Sequence, residues 1–367
     1  MIVFGTRPEV IKLAPVVLEA KSRSSEVELL VCSTGQHREM LDQAMQAFNI
    51  QADIDLAVMS ANQSLASLTA KLMDALTAVF TEYKPDVVIV QGDTTSAFVA
   101  SLAAFYQQIP VAHVEAGLRT GDLKSPFPEE LNRVLIARMA SWHFPPTTQA
   151  SQNLLNEKVG SEKIFITGNT VVDAIHFIRS KWLPSGEGVS PYFPGKELVL
   201  ITTHRRENQG EALLKICTAI KHLSSQYPEL GFVFPVHLNP KIREIVFKEL
   251  SNIENLKMID PLDFNANLQL QSKCRLIITD SGGIQEEAPT FGVPTVVMRE
   301  HTERSEGVDI GFAILSGVDT QSIINAAQTF LDDLNIKKKL SALENPYGDG
   351  KASCRILNVL LGVKDHY

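Results

Sequence analysis

IITDSGGIQEEAPTFGVP, Ile277 to Pro294, sets an apolar β-rich run against a Ser-Gly-Gly turn and then a helical pattern. A strand that ends on small residues and runs straight into a helix is the repeating unit of a parallel sheet, whose loops gather at the strand C-termini. Ser281, Gly282 and Gly283 offer backbone N–H groups at a helix start, and their small size lets a phosphate approach closely. Two carboxylates, Glu286 and Glu287, follow within a turn. Placed there, a carboxylate accepts hydrogen bonds from vicinal hydroxyls, so the stretch suits a nucleoside diphosphate, with Glu287 on the ribose and Glu286 facing solvent.

The same grammar runs outward in both directions. Strands are expected at IVFGT, ELLVCSTG, DVVIVQGD, IPVAHVEAG and KIFITGNT in the first half, and at ELVLITTH, FVFPVHLNP, CRLIITDSGG and VPTVVMRE in the second, with helices such as EALLKICTAIKHL between them. The interval from about Val171 to Lys196 is rich in Pro, Gly and Ser and breaks the rhythm once. The fold class expected is therefore α/β, with two doubly wound Rossmann-like domains facing a central cleft: residues 1–170, carrying the acid/base carboxylates, and 171–350, binding the nucleotide.

At 367 residues and 44% hydrophobic content the chain can bury two ordinary cores. A formal net charge of −8 excludes a nucleic-acid backbone as the main partner, so any anion site has to be local. Cys32, Cys217, Cys274 and Cys354 are scattered without metal-ligand spacing and are expected to be reduced and packed. There is no metal-binding pattern and no GxGxxG, so neither a metal nor a nicotinamide cofactor is indicated. No apolar run of about 18 residues suggests a membrane span, and a cytoplasmic protein is expected.

The unusual residues cluster just after strands. FGTRPEVIK places Arg7 and Lys12 at a helix start, suited to an anion or, equally, to a plain βα turn. Asp93 and Glu115 each follow a strand end of the first half, and Glu129, with Glu130, stands at a helix start on an adjacent loop. Each has a structural explanation: Asp93 as the cap of a helix from Thr94, Glu115 paired with Arg119, and Glu129 or Glu130 at a helix N-terminus. Together they form a set suited to moving protons at carbon. His204, Arg205 and Arg206 close the first strand of the second half, where they can receive a departing phosphate; Arg299 and Arg304 end another, with Arg304 the diphosphate contact.

The motifs FGTRPEVIKLAPV, TGQHREMLDQ, VQGDTTSAF, HVEAGLRTGD, PFPEELNR, TTHRREN, PVHLNP, DSGGIQEEAP, TERSEG and NPYGDG, in this order, resemble the non-hydrolysing UDP-N-acetylglucosamine 2-epimerases over essentially the whole chain. The resemblance implies a GT-B-like fold whose last helix, within about 351–367, crosses back onto the first domain. It implies reversible interconversion of UDP-GlcNAc and UDP-ManNAc without a cofactor, in a homodimer, feeding surface polysaccharides. It assigns the acid/base roles to Asp93, Glu115 and Glu129 and the leaving-group histidine to His204. Arg7, Lys12, Ser281, Gly282, Gly283, Glu287 and Arg304 fall on nucleotide contacts. Gln36, His37 and His237, with Gln63 and Arg205, fall on the site of a second, activating UDP-GlcNAc. Two departures stand out: the opening MIVFGT is shorter than the family's first strand, and Asn267 replaces an aromatic residue beside uracil, which Phe264 would supply. The competing activities are a hydrolysing epimerase that releases ManNAc, a GT-B glycosyltransferase, and a UDP-sugar sensor without turnover.

Overall fold

Parallel strands covered by helices on both sides must be apolar on both faces, and the central strands obey this: Ile2, Val3 and Phe4 are fully buried, as are Val199, Leu200 and Ile201. The computed structural model describes residues 1–35, 38–58, 63–182, 192–205 and 208–363. Six strands form one sheet: β1 (Ile2–Phe4), β2 (Val31–Ser33), β3 (Ile54–Asp55), β4 (Val88–Gln91), β5 (Val111–Val114) and β6 (Trp142–Phe144). A second sheet holds β7 (Leu198–Thr202), β8 (Gly231–Pro235), β9 (Leu256–Ile259), β10 (Cys274–Thr279), β11 (Thr295–Val297) and β12 (Ala313–Leu315).

The strand orders are β3-β2-β1-β4-β5-β6 and β12-β11-β10-β7-β8-β9, the same doubly wound topology twice. All pairings are parallel, for example Ile2 beside Ile89 and Thr202 beside Thr279. Strand order reverses between β1 and β4 and between β7 and β10, and loops leaving such neighbours part to opposite sides, which opens a crevice at their ends. The two-domain α/β class expected from sequence is the one observed.

Four short strands escape a reading by hydrophobic pattern. At the sheet edges, β3, β9 and β12 are only partly buried, and β6 is a three-residue run between a helix end and two prolines. The expected strand KIFITGNT is not one. It contributes an isolated bridge from Ile164 to His143, because β6 already occupies the edge position it would need.

The chain divides into two units, Met1–Lys181 with Tyr347–Tyr367, and Trp182–Pro346. The expected break near residue 171 falls inside a continuous helix, Thr170–Ser180, whose Val171, Val172, Ala174, Ile175 and Ile178 are buried, so the change of unit comes after it. The helix Ala352–Leu360 lies in the first unit, against the helices Arg7–Ser22 and Thr170–Ser180. Asp173 organises that return: its carboxylate accepts from the backbone N–H of Ala352 (3.2 Å) and Ser353 (2.8 Å) and from Ser353 Oγ (2.7 Å). It thus supplies a cap that the helix lacks from its own sequence.

The first core centres on Leu72, Leu76, Phe80 and Val90 and the second on Ile201, Ile220, Phe232 and Ile278. The cysteines are free thiols; burial pushes Cys32, Cys217 and Cys274 up to about 12, so they remain protonated. Among the described residues no helix is long and apolar enough to cross a membrane. His113 and His143 sit side by side on β5 and β6, and burial pushes them down to about 3 and about 4.

Two outcomes follow. Removing the cap with Asp173→Ala strands two backbone donors and lowers unfolding free energy by about 2 kcal/mol. Urea denaturation measures it, and a loss below about 0.5 kcal/mol would refute the capping account. Both buried imidazoles stay neutral down to about pH 5, because only the unfolded chain takes up their protons below its ordinary value near 6.5. That linkage removes stability as pH falls, while the buried carboxyls Glu9 and Asp173, raised by burial, act in the opposite sense. Histidine ring NMR from pH 7.5 to 5 separates the two contributions: His113 and His143 resonances should not move.

Candidate active site

The first unit's site residues rise from three adjacent loops. After β1 the chain enters the helix Arg7–Ser22 through Thr6, and Glu9 folds back so that its Oε2 accepts from the N–H groups of Gly5 (3.0 Å) and Thr6 (2.7 Å). Its Oε1 accepts from Thr94 Oγ1 (2.7 Å), across the break in strand order. Glu9 is fully buried, and burial raises its carboxyl, opposed by these donors. Gly5 has to be glycine, since a Cβ would run into the hydroxyls of Thr34 and Ser96, which hydrogen-bond each other at 2.9 Å.

Asp93 follows β4. The helix cap is Thr94, whose hydroxyl accepts from Ala97 N–H, so Asp93 is not the cap expected from sequence and its carboxylate is left for other work. Arg133 reaches it at 2.5 Å, Asn132 Nδ2 donates to its carbonyl (2.8 Å), and His113 Nε2 donates to Gly92 O (2.8 Å). Glu115 follows β5 with φ +62°, a left-handed backbone that costs a non-glycine residue on the order of 1 kcal/mol or more. Its carboxylate pairs with Lys12, and both side chains are almost fully buried. Arg119, the partner expected for Glu115, instead clasps Glu157 at 2.6 and 3.0 Å. Lys12 therefore meets a carboxylate of its own unit.

The helix Glu129–Met139 divides its first two acids. Glu130 is buried and accepts from the N–H groups of Thr120 and Gly121, both at 3.0 Å, which shapes the loop after β5. Glu129 Oε2 is shielded and has no hydrogen-bond partner among the described residues. Among the described residues Asp93 and Glu115 thus each have a cation and Glu129 has none.

In the second unit Asp280, fully buried at the end of β10, is the organising group. It accepts from Thr203 Oγ1 (2.9 Å), from the N–H groups of His204 (3.1 Å) and Arg205 (3.0 Å), and from Asn208 Nδ2 (2.9 Å). His204 Nδ1 lies 3.0 Å from it. Burial acts to raise this carboxyl, but the His204 imidazole and the other donors outweigh it and hold Asp280 below the usual range.

In the DSGG turn the N–H of Ser281 is taken by Thr279 Oγ1 (2.9 Å). Gly282 and Gly283 occupy the first helical turn, where N–H groups have no acceptor within the helix. Glu286, expected to face solvent, is instead 1% exposed and pairs with Arg304 Nε at 2.6 Å. Arg304 also pairs with Glu303, and its Nη1 lies 2.7 Å from where a Cβ on Gly282 would sit, so the guanidinium rests on the bare backbone. Burial opposes the charge on Glu303, yet Arg304 and Arg299 hold its carboxyl far below the ordinary range. Glu287 accepts from Gln271 Nε2 at 2.5 Å.

The remaining candidates are dispersed. Gln36 and His37 lie outside the described residues, as does Arg206. Arg7, partly exposed, opens the first helix. Gln63 precedes the helix Leu65–Tyr83. The exposed His237 accepts the Asn239 N–H at 3.1 Å, and Arg205 is fixed through its backbone N–H to Asp280. Phe264 is buried at the head of the helix Phe264–Ser272, with Asn267 part-buried on it. No group of three or more His, Cys, Asp or Glu side chains among the described residues is placed to hold a metal ion.

Sequence reasoning missed Glu9, Arg133 and Asp280. The first had a visible signal, the Thr-x-x-Glu spacing of a helix start. Arg133 and Asp280 showed only a position, one helical turn beyond Glu129 and one residue before Ser-Gly-Gly.

A family model described as UDP-N-acetylglucosamine 2-epimerase matches residues 19–361. The UDP-N-acetylglucosamine 2-epimerase of Escherichia coli (strain K12) is 47% identical over 365 residues, covering 98% of this chain and 97% of that protein. The crystal structure of UDP-GlcNAc 2-epimerase from Neisseria meningitidis bound to UDP-GlcNAc superposes with a TM-score of 0.92 at 46% identity, covering 98% of this chain and 99% of that one. The Methanocaldococcus jannaschii UDP-GlcNAc 2-epimerase, in complex with UDP-GlcNAc and UDP, follows at 0.83 and 34%, with 98% of each chain covered. With its strand-end carboxylates and its Asp280-centred turn now placed, and with likeness running the length of the sequence, the chain belongs to the UDP-N-acetylglucosamine 2-epimerase family.

Proposed function

We propose that the protein interconverts UDP-GlcNAc and UDP-ManNAc reversibly and without hydrolysis, by eliminating UDP to a 2-acetamidoglucal and adding it back. The observation that carries this reading is the trio within one unit, Asp93 and Glu115 just after strands and Glu129 at the start of the helix Glu129–Met139, the first two with a cation and the third with none among the described residues. Inversion at C2 needs a proton removed from one face and returned on the other. The C2 hydrogen of the intact sugar is not acidic, so its departure has to be coupled to a good leaving group. The C2 proton passes to a carboxylate, the C2–H electron pair becomes the C1=C2 bond, and the C1–O bond breaks with its pair on the phosphate oxygen. A second carboxylate then delivers a proton to C2 from the opposite face while the phosphate oxygen re-forms the C1–O bond, so that C2 is inverted and C1 is restored.

Asp93, Glu115 and Glu129 share the acid and base roles. Lys12 holds Glu115, and Arg133 holds Asp93. His204, Arg7 and the first-turn N–H groups at Gly282 and Gly283 receive the charge on departing UDP, and Glu287 takes the ribose. Arg304, already neutralising Glu286, keeps that acid from repelling the diphosphate. A second UDP-GlcNAc acting as activator, through Gln36, His37 and His237 with Gln63 and Arg205 beside them, belongs to the same reading, as does supply of UDP-ManNAc to polysaccharide assembly. A homodimer does too: Phe127, Leu131 and Leu135, spaced four residues apart, leave an exposed apolar stripe on the first unit.

Purified protein given UDP-GlcNAc in deuterated water should yield UDP-ManNAc bearing deuterium at C2, followed by proton NMR. Unlabelled product would refute the elimination route, and free ManNAc as principal product would establish hydrolysis instead. Glu129→Gln should lower kcat by about 10²-fold or more with a smaller change in KM. Light scattering should find a dimer that Leu131→Glu with Leu135→Glu converts to monomer; a monomeric parent chain rejects the stripe.

A further inference from the structure

Asp280 surrounds itself with donors. Its Oδ2 accepts from Thr203 Oγ1, Arg205 N–H and Asn208 Nδ2, and the His204 N–H lies 3.1 Å from both carboxylate oxygens. Asn208 also donates to Met298 O at 3.2 Å, tying the turn to the end of β11. A carboxylate this engaged cannot rotate, and as an ionised group it can only accept. The His204 nitrogen facing it, Nδ1 at 3.0 Å, must then carry a hydrogen. The ring's other nitrogen, Nε2, has no partner among the described residues, and the side chain is 48% exposed although its backbone is pinned.

We infer that Asp280 is a positioning residue for the epimerisation: by holding His204 Nδ1–H it fixes ring orientation and tautomer, so that Nε2 is the nitrogen offered to the departing phosphate. This rests on the reading of His204 as the leaving-group residue and deepens it. In the cationic ring Nε2–H donates to the phosphate oxygen as the C1–O bond breaks. If the proton transfers, the neutral ring left behind keeps its hydrogen on Nδ1, still bonded to Asp280, and Nε2 is ready to take the proton back on readdition. Without the carboxylate the neutral ring is free to place its hydrogen on Nε2 and to turn.

Two measurements decide it. In the full-length chain carrying ¹⁵N-histidine, long-range proton–nitrogen NMR at pH 7.5, with His204 assigned by its loss in His204→Gln, should show Nδ1 protonated. A neutral ring with its hydrogen on Nε2 overturns the proposal, and this readout needs no variant to fold. In Asp280→Asn, kcat per folded molecule should fall on the order of 100-fold, with KM for UDP-GlcNAc within about threefold and the His204 nitrogen shifts altered. A purely structural Asp280 would instead reduce the folded fraction, seen by circular dichroism, while the folded remainder kept its kcat and tautomer; that result also overturns the proposal. Absence of epimerisation by the parent chain would defeat the functional reading without touching the tautomer, so the two failures are told apart.

Discussion

A buried carboxylate bridging the break in strand order is the contact on which each unit's site depends. Where neighbouring parallel strands send their chains to opposite sides, the loops leave backbone donors that neither strand pairing nor helix satisfies. Glu9 meets this need in the first unit and Asp280 in the second. The direction differs. Glu9 belongs to the first strand's helix and reaches the loop after β4 through Thr94, whereas Asp280 belongs to the end of β10 and reaches back to the loop after β7. Burying an ionised group costs several kcal/mol unless its lone pairs are filled, and both are filled by the loops they join. Each carboxylate and its loops therefore form one structural unit.

That coupling holds the candidate residues in place. Thr94, held by Glu9, is next to Asp93; His204 is held by Asp280 through both backbone and ring. The two glutamates beside the Ser-Gly-Gly turn are fixed as well. Glu286 is buried against Arg304, and Glu287 is engaged by Gln271, so neither stands as a loose negative charge near Gly282. The guanidinium that neutralises Glu286 fits because Gly282 has no side chain to displace it.

The doubly wound class was legible because the central strands are buried on both faces and end in small residues. The edge strands were not, since β3 and β12 are two and three residues long and half wet, too little pattern to separate from a loop. The interval Val171–Lys196 contains the change of unit after Lys181, but its start was harder to place, because Pro and Gly mark turns well while the helix Thr170–Ser180 shows its attachment only through what it packs against. Among the candidate site residues, those directly after strands were proposed from position alone. Their partners could not: Glu115 pairs with Lys12, 103 residues away, while the nearby Arg119 turns to Glu157. Side-chain pairing across loops is set by the sheet, and a single sequence carries no record of it.

Glu115 shows what the fold accepts in return. A left-handed backbone at a residue with a Cβ costs on the order of 1–3 kcal/mol, and burying its carboxylate with Lys12 adds desolvation that the ion pair does little more than offset. Glycine at this position would relieve the first cost and remove the second. Neither the sheet nor the core requires a carboxylate here, because the β5 strand has already ended at Val114 and the Glu115 N–H still bonds to Phe144 O. The strain has one evident product, a carboxylate aimed in a fixed direction with its cation attached. Strain retained where packing does not demand it supports the acid/base role proposed for Glu115 alongside Asp93 and Glu129, despite its internal partner.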